Sequence, residues 1–439
     1  MIKQLRTKFT FSEFIKNSLT LSGGVAIAQV LPFLFYPVLG RIYTPAEFGL
    51  LAVVTSIVSV LAVAGSGKYE SGILVAKDKL EAAHLAVLAV LVGLVIMAVV
   101  WPIVQLLLGH QLAIWLNEPN LAKWLFVCPI SAFSIIVFNV YNEWCVREKY
   151  FKALSVNKMV NAGATTLGKV FLGFVRLVSQ GLVIGDMAGR IISAAGCAFR
   201  ALRSDGPTFR QVRMHGVLDC ASKYREFPIY TMPGRLLNTL GQSMPVLLLT
   251  AFFSSDHAGY FSMAMMVFVL PIAVIGNTLG DVYRQRANEE FQATGQCLKS
   301  FDKLLKLTTL MGFGALALLV WFLPWLMRVI LGHEWYVAGQ YAQILAPSMV
   351  LSFIAGPLSG LFIVANKLRQ FFVWQVLYVI GASVSIWLGH IVFGTEDPTP
   401  TLILYATMMG CVYLTSIIMT RHFAKGDKCR VDDQDTGKE

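Results

Sequence analysis

The chain has 439 residues, of which 56% are hydrophobic and only 14% charged. Soluble domains run about 45–50% apolar and about 25% charged, so an ordinary soluble enzyme is excluded, and the absence of triplet glycine or charged heptads excludes collagen and coiled coil. The net charge of +11 would suggest nucleic acid in a soluble protein; with a mean hydropathy of +0.65 the question is instead which membrane face carries it.

A bilayer span takes roughly 20 apolar residues, and such stretches recur along the whole chain. The first runs from about 19 to 39, after Lys3, Arg6, Lys8 and Lys16. It is longer than a signal-peptide core and is expected to be retained as a span. Gln29, Pro32 and Pro37 interrupt it and Arg41 closes it. The next stretches are 48–67, followed by Lys68-Tyr69-Glu70, then 83–108 and 124–144. Residues 157–177 contain Lys169 and Arg176, and 180–201 contain Asp186 and Arg190, with Gly181 and Gly185 the only breaks between them. A basic polar connection at 202–230 precedes 231–253, which opens on Arg235 beside Asn238, Gln242 and Ser243. Then come 258–281, with Pro271 and a closing Asp281, and 304–331, 339–365 with Pro347 and Pro357, 370–393 and 400–421. The fold class expected is therefore an all-α integral membrane protein with about twelve transmembrane helices. The loops 202–230 and 284–303 are expected to hold short interfacial helices, and the charged tail 424–439 to be disordered.

Charge tests this map. Thirty of the 36 Lys and Arg fall on the side of the N-terminus; Arg41, Lys123, Arg176 and Arg328 fall on the other, and Lys169 and Arg190 lie inside spans. This bias makes the N-terminal side cytoplasmic, with both termini there.

The halves resemble each other. Thr44-Pro-Ala-Glu-Phe-Gly49 and Ser254-Ser-Asp-His-Ala-Gly259 are short outer turns closing on a glycine before a long apolar helix, 210 residues apart. A parallel repeat of two six-helix lobes, 1–204 and 205–423, is expected, and such repeats are the usual plan of secondary transporters.

Several motifs fail on inspection. Gly163-Ala-Thr-Thr-Leu-Gly168-Lys169-Val170 almost spells a P-loop, but Val170 stands where magnesium needs Ser or Thr. Asp433-Gln434-Asp435 sits in a charged tail, and His333-Glu334 lacks the second histidine of a zinc helix. The seven cysteines form no CxxC pair. No catalytic residue, metal or cofactor is expected, and no nucleic acid partner.

The informative residues are the charges within spans, which are costly there and usually face an aqueous cavity. Lys169 and Arg176 are seven apart and share a helix face; Asp186 and Arg190, four apart, share another. Counted from residue 157, Lys169 is roughly 18 Å along its helix, near mid-membrane. One reading is a cavity that binds an anionic head group, since guanidinium and ammonium suit phosphate oxygens. The other is a self-satisfied Asp186–Arg190 pair with Arg176 reaching the interface. Arg41 fits an anchor or a gate, and Arg235 an anchor or a cavity lining. Glu70, Asp281 and Glu143 at cytoplasmic helix ends suit coupling or gating, or salt bridges with Lys68, Arg284 or Arg147. Pro32, Pro37 and Pro271 suit hinges or passive kinks.

Tyr36-Pro-Val-Leu-Gly-Arg41-Ile-Tyr-Thr-Pro45-Ala-Glu47-Phe-Gly49 and Lys68-Tyr-Glu70-Ser-Gly-Ile-Leu-Val-Ala-Lys77 resemble the opening of bacterial polysaccharide exporters. These are the O-antigen flippases of the multidrug/oligosaccharidyl-lipid/polysaccharide exporter superfamily. Gly181-Leu-Val-Ile-Gly185-Asp-Met-Ala-Gly189 is similar to their sixth span, and Tyr224-Arg-Glu-Phe227-Pro228-Ile-Tyr230 to the entry of their second half. The resemblance implies two six-helix lobes around a cationic cavity. It implies a substrate as well: an undecaprenyl-pyrophosphate-linked oligosaccharide flipped across the bacterial inner membrane by alternating access. Partners would be that substrate, membrane lipids, a polysaccharide polymerase and a chain-length regulator. Two readings compete: a multidrug cation antiporter, whose site should be acidic and aromatic, and a membrane-embedded polymerase, which needs larger outer loops than the stretch around 109–123.

Overall fold

The computed structural model describes residues 27–118, 121–175 and 180–426. Arg176, the leader before Ile27 and the tail beyond Gly426 lie outside the described residues.

Among the described residues the regular structure is helical, with no strand. Helix α1, Ile27–Ile42, contains Pro32 and Pro37 without interruption. The outer turn read from the sequence is a helix start: in α2, Pro45–Ser66, the Thr44 hydroxyl accepts from the Glu47 N–H and Glu47 accepts from the Thr44 N–H at 2.8 Å. This is a capping box, and Pro45 sits at the first helical position where its missing N–H costs nothing. Gly67 ends α2 at φ 54°. A 3-10 turn, Tyr69–Leu74, leads to α3, Lys79–Pro102, capped by Asp78. Arg147 donates to the carbonyls of Ile73, Ala76 and Asp78 at 2.7, 2.9 and 2.9 Å, fixing the turn to α4.

Then follow α4, Val127–Arg147, α5, Phe151–Phe174, α6, Gly181–Phe209, α7, Met214–Lys223, α8, Met232–Phe252, and α9, Ser255–Pro271. The chain continues through α10, Asn277–Thr294, α11, Leu298–Leu319, α12, Leu323–Leu331, α13, Tyr336–Leu358, α14, Leu368–Phe393, and α15, Thr399–Ala424. Pro271 does not break its helix. It is followed by a π-turn, Ile272–Gly276, that widens the backbone and leads straight into α10. The loop expected to start at 284 is likewise the continuation of α10, which ends only where Gly295 adopts φ 70°.

Eight helical stretches among the described residues are long and apolar enough to cross a membrane: Pro45–Ser66, Lys79–Gln105, Gly181–Phe209, Ser255–Thr294, Leu298–Leu331, His333–Val364, Leu368–Phe393 and Thr399–Ala424. The chain is a multi-pass membrane protein. Helices α4, α5 and α8 overlie three further expected spans, but each carries charged and amide side chains, such as Glu143, Lys158 and Arg235, that lower its apolarity.

By packing, the chain divides into two compact units, one ending at Ala258 and one beginning at Gly259. Within the first unit α8 packs on α2. In the first unit α5 and α6 form the tightest pair, and α4 packs against α2, α3 and α6 with Trp144 fully buried. In the second, α13 packs against α11, α12 and α15, over a core that includes Tyr283, Phe301 and Leu358.

The α5–α6 pair meets through glycine. A Cβ at Gly185 would sit 2.5 Å from the Lys169 backbone nitrogen, and one at Gly189 2.4 Å from the Thr165 Cα. Gly181 begins α6, at the break read from the sequence, whereas Gly185 is no break: it lies inside α6, at the contact. Small residues at such a seam let backbones approach in the way that drives helix association in lipid. Gly185→Val is expected to destabilise the purified protein by about 1–3 kcal/mol through overpacking, read as a lower melting temperature. Gly314→Ala, which meets nothing within 4 Å, is expected to leave it unchanged.

Candidate functional site

The glycine seam sets the register of the charged residues. Gly168 faces Gly185 and Thr165 faces Gly189, so α5 and α6 run antiparallel. Lys169 and Asp186, each one residue further on, meet across the seam with Lys169 Nζ 3.0 Å from Asp186 Oδ1. Arg190 lies one turn along α6 and its Nε donates to Asp186 Oδ2 at 2.5 Å. Each carboxylate oxygen thus takes one cation, and the cluster carries one net positive charge. The side chains of Lys169, Asp186 and Arg190 keep 15%, 11% and 22% of their exposure, so the cations remain reachable.

The end of α1 is stitched to this cluster. Tyr43 donates from its hydroxyl to the Lys169 carbonyl at 2.8 Å. A Cβ at Gly181 would meet that hydroxyl at 2.3 Å, and Tyr36 lies within electrostatic range of Asp186. Helix α5 begins at Phe151, six residues before the apolar stretch. At about 1.5 Å per residue, Lys169 lies roughly 27 Å from that start and about 8 Å from the other end of α5. The cluster belongs to the far third of the helix pair rather than to its middle.

Of the expected site residues that are described, Lys169, Asp186 and Arg190 are brought together in this cluster. Arg176 lies outside the described residues. Arg41 is exposed at the end of α1. Arg235 is exposed in the first turn of α8 and pairs with no carboxylate among the described residues; Gln242 there donates to Asn238 at 3.1 Å. Glu70 is buried, its Oε1 held by Lys68 at 2.9 Å and by the Ser66 hydroxyl at 3.2 Å, while Oε2 has no hydrogen-bond partner. Asp281 is exposed on α10 and forms no pair with Arg284, and Arg147 is spent on backbone carbonyls and a 3.9 Å pair with Glu148 rather than on Glu143. The P-loop-like run Gly163–Val170 is interior helix, whose N–H groups are occupied, so it has no cradle for a phosphate.

One polar network was missed. Asp205, buried at a kink in α6 with φ −122° and ψ 18°, accepts from Lys79 at 2.6 Å and from the Trp144 indole at 3.1 Å. It ties α3, α4 and α6 together. The signal available was the Asp205-Gly206-Pro207 run, which breaks helical geometry. Arg200 likewise donates to the buried Asn157, joining α6 to α5.

Residues 38–340 match the family described as polysaccharide biosynthesis protein. The chain belongs to that family. No curated protein matches it. Among solved structures it is similar to the lipid II flippase MurJ in an inward closed conformation, at 10% identity over 92% of this chain and 87% of that one, with a TM-score of 0.70. It is also similar to an inward-facing multidrug resistance MATE family transporter of the MOP superfamily, at 14% identity over 96% of both chains and a TM-score of 0.62. A MOP superfamily transporter from Pyrococcus furiosus, titled for the reverse polarity of its binding pocket, matches at 14% identity over 93% and 95%, with a TM-score of 0.63. At these identities the likeness is one of fold: the chain folds as MOP superfamily transporters do.

Asp205→Ala leaves the buried Trp144 indole N–H without its acceptor and is expected to cost about 1–3 kcal/mol, read as a lower melting temperature in detergent. Asp219→Ala, whose pairing with His215 is solvent-exposed, is expected to change it little.

Proposed function

We propose that the protein is a flippase that moves an undecaprenyl-pyrophosphate-linked oligosaccharide across the bacterial inner membrane by alternating access, for O-antigen, capsule or exopolysaccharide assembly. The observation that carries this reading is the Lys169–Asp186–Arg190 cluster: net positive, partly open, and set in apposed helices of a transporter fold. Arginine and lysine offer a phosphate group charge and donors together. Family membership supports polysaccharide assembly as the setting, and the fold shared with a lipid II flippase supports a lipid-linked cargo.

In this reading Lys169 and Arg190 hold the pyrophosphate, with Arg176, Arg41 and Arg235 lining its path, and Asp186, Glu70 and Asp281 serve in coupling or gating. Pro32, Pro37 and Pro271 serve as hinges. Two lobes of six spans, 1–204 and 205–423, are related by the parallel repeat, with both termini cytoplasmic as the Lys and Arg bias indicates. A polymerase and a chain-length regulator would use the product outside. Transport needs no catalytic residue: moving one charge through 100 mV is worth about 2.3 kcal/mol, so expelling a doubly negative head group gains roughly 4–5 kcal/mol. A drug-cation antiporter is disfavoured because the cluster would repel its substrate.

Deleting the gene in its host and complementing at matched membrane expression tests this. Wild type is expected to restore surface polysaccharide, whereas Lys169→Ala and Arg190→Ala leave lipid-linked units facing the cytoplasm. Units reaching the outer leaflet without the gene would refute flipping. Variants that work as wild type would refute the anion site.

A further inference from the structure

We propose that Asp186 is a built-in competitor of the substrate's anion: it holds both cations when the site is empty and reclaims them to drive the head group off. This rests on the reading of Lys169 and Arg190 as the anion site. Three features of the cluster support it.

First, the carboxylate engages both cations but saturates neither. Lys169 Nζ spends one of its three donors on Asp186, and Arg190 uses only Nε. Both Nη groups of Arg190 make no hydrogen bond among the described residues. An incoming phosphate can therefore dock on the guanidinium fork before Asp186 lets go, and the exchange passes through no bare charge. Arg190, at 22% exposure, is also more open than Asp186 at 11%, so the ligand meets the cation first.

Second, the competitor cannot leave. Asp186 follows Gly185, whose backbone is seated against the Lys169 nitrogen. The Lys169 backbone is held in turn by Tyr43. The carboxylate stays within reach of both cations throughout a cycle, so its local concentration does not fall when substrate is bound.

Third, the cluster needs such a partner for physical reasons. Two unpaired cations in a membrane helix pair are costly. They would also grip a pyrophosphate too firmly, whereas a transport site must bind well enough to load and weakly enough to empty. A carboxylate shared between them meets both demands.

The test uses the full-length protein in nanodiscs, with undecaprenyl pyrophosphate as probe and undecaprenol as the uncharged control. Asp186→Asn is expected to tighten binding of the pyrophosphate about tenfold, within the usual span of coupling between two ligands, and to slow its dissociation in proportion. In cells the same variant restores less polysaccharide than wild type despite binding better. Asp186→Glu, which keeps the charge, stays near wild type. Binding of undecaprenol does not change in any of them. If Asp186→Asn binds no more tightly while Lys169→Ala and Arg190→Ala bind more weakly, the competitor is refuted and the anion site stands. If Lys169→Ala and Arg190→Ala bind as wild type, the anion site itself is refuted. Should Asp186→Asn not fold, the comparison is made in the Arg190→Gln background, where only one cation is left to satisfy. There, adding Asp186→Asn is expected to tighten binding relative to Arg190→Gln alone, and equal or weaker binding overturns the proposal.

Discussion

Two helices that touch through glycine hold one carboxylate between two cations, and much of the first unit is arranged around that contact. Gly168, Gly185 and Gly189 leave no room for side chains between α5 and α6. The backbones close up, and residues one step from each glycine are forced opposite each other. Lys169 and Asp186 meet for that reason, and Arg190 joins because it lies one turn further along the same helix. Tyr43 then ties α1 to the pair through the Lys169 carbonyl. In a medium with little water to share, such charges must neutralise one another or face a cavity; here Asp186 neutralises one charge of the two cations that share it.

The opposite end of the helix pair is fixed by different chemistry. Asp205 collects Lys79 and the Trp144 indole where α6 kinks, and Arg147 caps three carbonyls of the turn before α3. These are links between backbone segments rather than a binding surface. The helix pair is thus tied at both ends, by Asp205 at one and by Tyr43 beside the charged cluster at the other.

The helical fold was legible because spanning segments announce themselves by length and apolarity, and helices overlie the expected stretches from Ile27 to Ala424. The readings that failed concerned continuity. The charged residues after Asp281 looked like a loop, but they extend α10 beyond the apolar stretch, and Gly185 looked like a break, but it lies inside α6. Polar residues can continue a helix past the apolar stretch, so hydropathy marks the spans better than the helix ends. Helix α5 likewise recruits residues from Phe151 onward, ahead of its apolar stretch.

Composition and charge order determined by themselves that the chain crosses a membrane many times and that Lys169, Asp186 and Arg190 are unusual within it, because burying an ionisable group in an apolar stretch is visible in one dimension. Which cation the carboxylate serves was not visible there. The sequence offered an Asp186–Arg190 pair on one helix face; only tertiary structure added Lys169 from the neighbouring helix. Partnership across a seam depends on interhelical register, and here steric closure at glycine decided it.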